Sequence, residues 1–256
     1  GSGNWVLTGD SSAKVIGTLL VDAGTVTLSG ATGKIGFAVE TLSQGGVLTL
    51  DNSGVIGNAV SNRLGGSVAI SNITRIMNFQ GGTLNYLGNN NAAVSETLGT
   101  LTMLAGQSTF NLTASTGAFG TTVTLGTFTA QSATNTGTLL ISTAGLLGGG
   151  AAGSGRVNVT ATTAGLVGSI RPDIIGTDST GAGLVTSDAN GFRLLKASDT
   201  ALGYLAPTGS YLGAAAPVSI LALGGVVSNV AASSNVFVSK NLSLYASTTI
   251  NSLTLN

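Results

Sequence analysis

The amino-acid sequence predicts an all-β protein wound as a parallel β-helix (a β-solenoid), and three observations support this prediction. Apolar residues alternate with Thr, Ser and Asn in short runs, a period of two that is typical of strands buried on one face. The 256 residues include 40 glycines, which suit the sharp corners between strands. Only 7% of the residues are charged while 43% are hydrophobic, which excludes a disordered chain.

The alternation can be followed from strand to strand along the chain. GTVTLSG and GGVLTLDN place valine or leucine on one side of the backbone and threonine on the other. Few segments have apolar residues at the three-and-four spacing of a helix, so we expect almost no helix. The residues predicted to face inward are Val26, Leu28, Leu48, Leu50, Val68, Ile70, Leu84, Tyr86, Leu101, Met103, Phe110, Leu112, Val123, Leu125, Leu139, Ile141, Val157 and Val159, and later Val236, Val238, Leu242, Leu244, Leu253 and Leu255.

The spacing of these residues favours coils over two facing sheets. From Leu28 to Val159, a main inward residue recurs roughly every 16 to 22 residues, near the period of solenoid repeats. A sandwich would have strands about every 8 to 12 residues. Each coil would then contain two or three short strands, with hydroxyl-bearing rows outside and aliphatic rows inside. Roughly ten to twelve coils, each about 4.8 Å thick, would give a body about 50 Å long.

One segment breaks the pattern and divides the chain into three parts. All three prolines, Pro172, Pro207 and Pro217, lie in residues 165–218 together with a cluster of charges. Proline removes a backbone donor that a central strand needs. We therefore predict β-solenoid coils over residues 1–164, an irregular loop or side lobe over 165–218, and a return to coils over 219–256.

Composition limits the function classes that remain. The chain has no His and no Cys, which excludes Ser-His-Asp and Cys-His catalytic arrangements, disulfides and thiolate metal sites within it. Its formal net charge is zero, so there is no electrostatic basis for binding nucleic acid or an anionic membrane. The sequence contains no run of about 18 apolar residues, so it predicts no transmembrane helix. We therefore expect a non-enzymatic protein with no catalytic, cofactor-binding or metal-binding residues and no cofactor.

Several stretches resemble a known family. GSGNWVLTGD followed by GTLLVDAGTVTLSG, then SQGGVLTLDNSG and the closing TTINSLTLN, are similar to the autotransporter-associated β-strand repeat. The resemblance covers most of residues 1–160 and about the last thirty. It implies a right-handed parallel β-helix in an adhesin-like passenger region of a giant bacterial surface protein, secreted or displayed on the outer surface. The chain would then be a piece of a longer polypeptide.

The favoured function is structural. Stacked coils would form a stiff rod or fibre whose neutral Thr and Asn faces suit weak multivalent contacts. The expected partners are neighbouring copies or adjacent repeats of the same protein, with glycans and host or environmental surfaces as further candidates. Unpaired strand edges at the ends of such a rod predict self-association end to end, leading to filaments.

The alternative is a β-helix that binds or degrades polysaccharides through a site in residues 165–218. Glycosidase chemistry needs two carboxyl groups about 5 to 9 Å apart, and Asp173, Asp178, Asp188 and Asp199 are the candidates. The competing interpretation is that these carboxylates cap turns. Exposed aromatic side chains would stack on sugar rings, whereas buried ones would plug the coil ends. The candidate glycan or partner contacts are Asp173, Asp178, Asp188, Arg193, Tyr204 and Tyr211.

Overall fold

The computed structural model describes residues 2–65, 75–126, 133–153, 155–161, 173–196, 204–205, 235–238 and 252–255. These ranges form twenty β-strands and a single short 3-10 helix, Ile56–Asn58. The prediction of an all-β protein is therefore confirmed. Within these ranges, no helix has the length and apolar character needed to cross a membrane.

The largest sheet, sheet A, has nine strands. In spatial order they are β1 (Asn4–Leu7), β3 (Gly24–Leu28), β5 (Gly46–Asp51), β7 (Thr83–Leu87), β10 (Gln107–Thr113), β12 (Thr138–Thr143), β15 (Ile174–Asp178), β16 (Gly181–Asp188) and β17 (Gly191–Leu194). From β1 to β15 every neighbouring pair is parallel. The pairs β15–β16 and β16–β17 are antiparallel.

Three smaller sheets contain the remaining strands, and all their pairs are parallel. Sheet B contains β2 (Asp10–Val21), β4 (Lys34–Ser43), β6 (Ile76–Gln80) and β9 (Thr100–Met103). Sheet C contains β13 (Leu146–Leu147), β14 (Arg156–Ala161), β11 (Thr121–Leu125) and β8 (Val94–Thr97). Sheet D contains β18 (Tyr204–Leu205), β19 (Asn235–Val238) and β20 (Ser252–Leu255).

From β1 to β12, the chain leaves sheet A after each strand, passes through sheet B, sheet C or both, and returns to pair beside the strand it left. The number of residues between successive returns to sheet A varies more than the predicted spacing. Asn4 pairs with Thr25 and Thr25 with Val47, 21 and 22 residues later, whereas Val47 pairs with Thr83, 36 residues later. Later returns, from Thr83 to Thr109, from Gln107 to Thr138 and from Leu139 to Ile174, take 26, 31 and 35 residues.

The predicted period of roughly 16 to 22 residues was too short because it counted strands of different sheets as equivalent. Leu28, Leu50 and Tyr86 lie in sheet A, whereas Met103 lies in sheet B and Leu125 in sheet C. Seven parallel strands of sheet A, β1 to β15, stack over residues 4–178, so that part of the protein is about 29 Å long at about 4.8 Å per step.

The interior rows agree closely with the predicted inward residues. Leu28, Leu50 and Tyr86 are neighbours in register and at most 1% exposed. Leu48, Leu84 and the next residues of that row, Phe110 and Ile141, are fully buried. Burying one such side chain stabilises the fold by about 1.5 to 3 kcal/mol. Of the other predicted inward residues, Val68, Ile70, Leu242 and Leu244 lie outside the described residues.

The segment predicted as an irregular loop or side lobe contributes regular strands where the structure describes it. Strand β15 extends the parallel part of sheet A, and Ile174 is fully buried. The chain then turns twice, and each turn has only two residues between strands, a connection too short to join parallel strands. The antiparallel pairs of β16 follow from these turns. The boundaries at 165 and 218 stay a prediction, since residues 162–172 and most residues after 196 are outside the described part.

Strands β16 and β17 form a hairpin that packs over the far end of the stack. Strand β17 contacts β13 and β14 of sheet C as well as β16. The approach is close, because a Cβ placed on Gly191 would lie 2.3 Å from the carbonyl oxygen of Val159. Gly191 also has a φ of 98°, in the region that favours glycine. Phe192, in β17 of this hairpin, is buried, so the hairpin contributes a side chain to the interior there.

Candidate functional site

The outward side of sheet A carries a row of neutral polar side chains. Asn85 donates to the Thr49 hydroxyl across a 3.1 Å Nδ2–Oγ1 distance, and Asn111 donates to the Asn85 side-chain oxygen across 3.0 Å. Thr27 and Ser142 extend this row in register on either side. The row therefore spans five neighbouring strands without a charge.

Sheets B and C repeat the pattern on a smaller scale. In sheet B the Asn78 side chain donates to the Thr41 hydroxyl across 3.3 Å. In sheet C the Thr160 and Thr124 hydroxyls lie 3.4 Å apart. Both pairs join neighbouring strands at the same register. The predicted hydroxyl-bearing rows are thus observed, with asparagine amides supplying many of the donors.

A groove of about 630 Å³ runs along the corner where the chain passes from sheet B to sheet A. Its wall includes the exposed side chains of Asp22, Gln44, Gln80 and Gln107, which come from successive corners. At the bottom of the groove, glycine has no side chain that would fill the space. Gly81 has a φ of 84°, and a Cβ there would lie 3.4 Å from the Gln44 Cβ. The corners therefore stack closely enough to align their amide side chains along one line.

A buried charge cluster, which sequence reasoning missed, lies inside the stack. Arg63 is fully buried, and its Nε donates to the side-chain oxygen of Asn52 at 2.7 Å. Its Nη1 donates to the Gly33 carbonyl at 2.7 Å, and its Nη2 donates to the carbonyls of Gly30 and Asn58, both at 2.9 Å. Arg63 thus ties together backbone segments from three parts of the chain. Burial lowers the pKa of Arg63, and Asp51 and Glu96 oppose that shift.

Glu96 faces this arginine from strand β8 and is also fully buried. Its carboxylate accepts hydrogen bonds from the backbone N–H groups of Arg63 at 2.8 Å and Leu64 at 3.2 Å. Burial raises the pKa of Glu96 to about 7, although the two N–H groups, Arg75 and Arg63 favour the carboxylate. Glu96 lies on the inward face of β8, together with the buried Val94.

Glu40 is a second buried acid, in strand β4. Neither of its carboxyl oxygens has a hydrogen-bond partner among the described residues. Burial, reinforced by the charge of Glu96, raises the pKa of Glu40 to about 8, so its neutral form dominates at pH 7. The Tyr86 hydroxyl is also buried without a partner there, and burial raises its pKa. The local sequence does carry a signal, because period-two alternation places Glu40 on the same face as the fully buried Leu42.

The cluster is enclosed and leaves no room for a substrate. The neighbouring cavity, lined in part by Phe37, Leu64 and Arg75, has a volume of about 10 Å³. That volume holds about one water molecule. The geometry therefore suits internal bracing of the fold, with Arg63 and Glu96 satisfying groups that would otherwise be buried without partners.

The predicted contact residues of segment 165–218 act mainly within turns. Asp178 accepts from the Thr180 backbone N–H at 2.8 Å and from the Leu147 N–H at 3.2 Å. Asp188 accepts from the Asn190 N–H at 2.7 Å and forms an ion pair with Arg193 at 3.0 Å. These contacts match the interpretation that the carboxylates cap turns.

The other predicted residues do not join them. Asp173 is buried, and its carbonyl accepts from the Leu139 N–H at 2.9 Å. Tyr204 lies in β18 of sheet D, and Tyr211 and Asp199 lie outside the described residues. Among the residues that are described, no three His, Cys, Asp or Glu side chains come together as a metal site would require. A role for these six residues in glycan or partner contact stays a prediction.

The two ends of the stack differ in exposure. At the β1 end, Trp5 is 66% exposed and Leu7 is 36% exposed. Both occupy interior rows, since Trp5 pairs with Val26 and Leu7 pairs with the fully buried Leu28. In the described structure no strand covers β1 on its outer side. We call this end the open end, because side chains of the interior rows are exposed there in the described structure.

Comparison with known proteins adds no assignment. No family model, curated protein or solved structure matches the chain. The autotransporter-like repeat, the surface location and the structural function therefore stay predictions based on sequence and physical chemistry.

Proposed function

We propose that sheets A, B and C are the faces of one right-handed parallel β-helix. Three features support this: alternation of successive strands between sheets, parallel pairing at every return, and interior rows shared by the coils. Connections between parallel strands of one sheet are right-handed in about 98% of cases. The family resemblance implies the same hand.

We further propose that this β-helix is a non-enzymatic structural and adhesive segment of a large secreted or cell-surface protein. The observation that carries the proposal is the continuity of the rows in sheet A. Apolar residues fill the interior from strand to strand, while hydrogen-bonded Thr and Asn cover the outside. Ladder hydrogen bonds and interior rows act together along the axis, which resists bending and leaves few segments for a protease to enter.

Engineered disulfides test the coil arrangement, and the absence of native cysteine makes that experiment clean. Thr49→Cys combined with Asn85→Cys places two thiols in neighbouring strands in register, so mild oxidation should join them efficiently. Thr49→Cys with Asn111→Cys, two strands apart, is the matched control and should not crosslink within the chain. Equal crosslinking of both pairs would refute the stacked register.

Force spectroscopy and proteolysis test the structural role. When the chain is pulled from its ends, we expect it to resist force and then to unfold coil by coil. We also expect it to survive a protease that quickly cuts denatured protein. Leu84→Asp, in an interior row, should abolish both properties, whereas Thr83→Asp, its outward neighbour, should leave them nearly intact. Rapid cleavage of the unmodified chain within its strands would contradict the proposal.

A second candidate function, binding of a neutral glycan, is favoured by the corner groove. Amides and hydroxyls recognise sugar hydroxyls as both donors and acceptors. Gln44, Gln80 and Gln107 supply such groups from successive corners, so several side chains could contact one sugar polymer. The groove contains one charge, Asp22, so an anionic polysaccharide is disfavoured.

Titration of neutral oligosaccharides of increasing length, followed by NMR, tests this candidate. We expect shifts at Gln44, Gln80 and Gln107 that grow with oligosaccharide length, and a several-fold loss of affinity in Gln80→Ala. Asn111→Ala, an amide removed from the outward row of sheet A, is the control and should not change the affinity. Shifts confined to residues 173–196 would instead favour a site in the segment that the sequence predicted.

A further inference from the structure

The outward face of sheet A is a regular array of small side chains. Two positions on each of six parallel strands, β3, β5, β7, β10, β12 and β15, lie on this face, and the register aligns them in two rows along the stack. We call these twelve residues the outward lattice. The first row is Thr25, Val47, Thr83, Thr109, Leu140 and Ile175, and the second row is Thr27, Thr49, Asn85, Asn111, Ser142 and Thr177.

The positions of the outward lattice follow a constant spacing. None of its strand pairs has a register shift, whereas the pair β2–β4 of sheet B has one between Ser11 and Val15. Parallel strands lie about 4.8 Å apart and rise about 3.3 Å per residue, so lattice positions are about 4.8 Å apart along a row and about 6.6 Å apart between rows.

Several side chains of the outward lattice are also held in place. Threonine is stiff at χ1 because two heavy atoms branch from its Cβ. Asn85 donates to Thr49 and accepts from Asn111, which joins three neighbouring strands on the outside. Side-chain ladders of this kind favour a flat sheet. The face is therefore ordered before any partner arrives.

The chemistry of the outward lattice is uniform. Nine of the twelve residues carry a hydroxyl or an amide, three are aliphatic, and none is charged or aromatic. A charged group would orient the surrounding water around itself. Threonine instead presents a hydroxyl and a methyl group of similar size, so the spacing of the side chains sets the arrangement of the water that covers this face.

These properties favour ice over other partners. The lattice covers about 300 Å², well below the roughly 800 Å² that each partner buries in a stable protein interface, which disfavours a second copy. Crystalline polysaccharides are bound by stacking on aromatic rings, and the lattice has none. Ice consists of the same water that hydrates the lattice, so no polar group has to lose its hydration. The prism faces of hexagonal ice also repeat their oxygens in a rectangle of similar dimensions.

We propose that the outward lattice of sheet A is an ice-binding face. Its hydroxyls and amides hydrogen-bond to water molecules of the crystal, and its methyl groups occupy the spaces between those molecules. Each contact is weak, but the lattice positions meet one rigid crystal together, so their combined effect holds the protein at the surface. The adsorbed protein then slows growth of that crystal face.

The inference deepens the adhesive part of the proposed function, on which it rests, by naming the surface that is bound. Every strand of the outward lattice has a paired strand on both sides, with β1 beside β3 and β16 beside β15. The geometry of the lattice therefore does not depend on how the stack ends.

Ice recrystallisation in the presence of the 256-residue chain tests the proposal. Frozen films are held just below the melting temperature, and grain size is followed by microscopy, with a globular protein of similar mass as the baseline. We expect smaller grains than the baseline at micromolar concentration. We also expect the chain to enter a slowly grown ice front rather than stay in the liquid.

Tyrosine variants separate the lattice from general effects of substitution. Thr83→Tyr places a ring in the middle of the lattice, which holds the crystal away from the neighbouring positions, and should raise the concentration needed for inhibition about ten-fold. Thr109→Tyr, on the next strand, should do the same. Thr122→Tyr is the matched control, because Thr122 is an outward, half-buried threonine of β11 in sheet C, and it should leave inhibition unchanged. Tyrosine is favourable in strands, and circular dichroism checks that each variant keeps the fold.

Three outcomes would overturn the proposal. The first is a chain whose grains grow as fast as those of the baseline protein. The second is an equal loss of inhibition in Thr83→Tyr and Thr122→Tyr. The third is retention on crystalline cellulose or chitin with no effect on ice, which would make a crystalline polysaccharide the partner of this face.

Proteolysis of the same samples distinguishes failure of this inference from failure of the structural role. A chain that does not affect ice but resists protease rejects the ice-binding face and leaves the structural role standing. A chain that inhibits recrystallisation but is cleaved rapidly rejects the structural role and leaves the ice-binding face.

Discussion

The two ends of the parallel stack begin from the same alternation of residues and finish differently. At the far end of the described stack, Phe192 of the β16–β17 hairpin is 1% exposed. At the open end, Trp5 occupies an interior row and is 66% exposed. The comparison teaches that alternation directs a side chain inward, but a neighbouring segment must cover it before it contributes fully to the core.

The ends also differ in how they are held. The far end is closed by apolar packing and two short turns. Near the open end, Arg63 binds the carbonyls of Gly30 and Gly33 in the turn between β3 and β4, one step from β1. A buried arginine thus supports the part of the stack that lacks a covering hairpin.

The largest effect is expected from removing the side chain at the covered end. Phe192→Ala should lower the free energy of unfolding by about 4 kcal/mol, because it leaves a cavity beneath the hairpin. Trp5→Ala should cost less than about 1 kcal/mol, because Trp5 is largely exposed. Urea denaturation followed by circular dichroism measures both. Equal costs would mean that the hairpin does not seal the stack.

The next effect concerns the brace near the open end. Arg63→Ala should cost about 3 kcal/mol, because it leaves three buried backbone carbonyls and the side-chain oxygen of Asn52 without the donor that Arg63 provides. Arg193→Ala, which removes the partially exposed ion pair with Asp188 in the hairpin, should cost less than about 1 kcal/mol. Thermal unfolding of the two variants provides the comparison. If Arg193→Ala lost more unfolding free energy than Arg63→Ala, the hairpin end and not the open end would depend more on charged side chains.

The acids of the same cluster make stability depend on pH. The raised pKa of Glu40, about 8 against an ordinary 4.5, means that the folded protein keeps a proton that the unfolded chain releases. Stability should therefore be full below about pH 4.5 and fall by up to about 4 kcal/mol as pH rises to about 8, since each unit of the pKa shift corresponds to about 1.4 kcal/mol. Urea denaturation across this range measures the slope.

A variant and a control distinguish Glu40 from other groups in this pH dependence. Glu40→Gln keeps the shape of the neutral acid and should flatten most of the slope, leaving the smaller part due to Glu96, whose pKa is about 7. Phe192→Ala should be less stable at every pH but keep the unmodified slope. An unchanged slope in Glu40→Gln would show that the cluster does not cause the pH dependence.

The smallest effect is expected midway between the ends. Asn85→Ala removes two hydrogen bonds of the outward row and should cost about 0.5 to 1 kcal/mol. Because Asn85 is distant from the hairpin in the stacking order, this cost should add to that of Phe192→Ala. A double variant measured by urea denaturation tests the additivity. Strong non-additivity would indicate that the outward row and the covered end unfold as one coupled unit.

Much of the interior could be predicted because it follows from a local pattern. Leu48, Leu50, Phe110 and Ile141 were assigned inward from alternation alone, and each is fully buried. The turn role of Asp188 was also foreseeable, since Asp-Ala-Asn-Gly is a turn sequence in its own right. The length of each coil was not foreseeable, because residues of different faces share the same alternation.

The charge cluster could not be predicted in the same way. Alternation places Glu96 on the inward face with Val94, and Glu40 on the inward face with Leu42. It does not show what would satisfy a buried acid, because the partners of Glu96, Arg63 and Leu64, lie 33 and 32 residues earlier in the chain. Two of the candidate contact residues that the structure describes, Asp188 and Arg193, form an ion pair at a turn.

The sequence alone determined the all-β class, the faces of the strands and the neutral character of the outer rows, because each of these depends on residues two positions apart. The tertiary structure decided which strands become neighbours, which acids are buried and which end is covered. Those outcomes depend on segments tens of residues apart, whose contacts are set by the length of each return to sheet A and by whatever packs against the last strand.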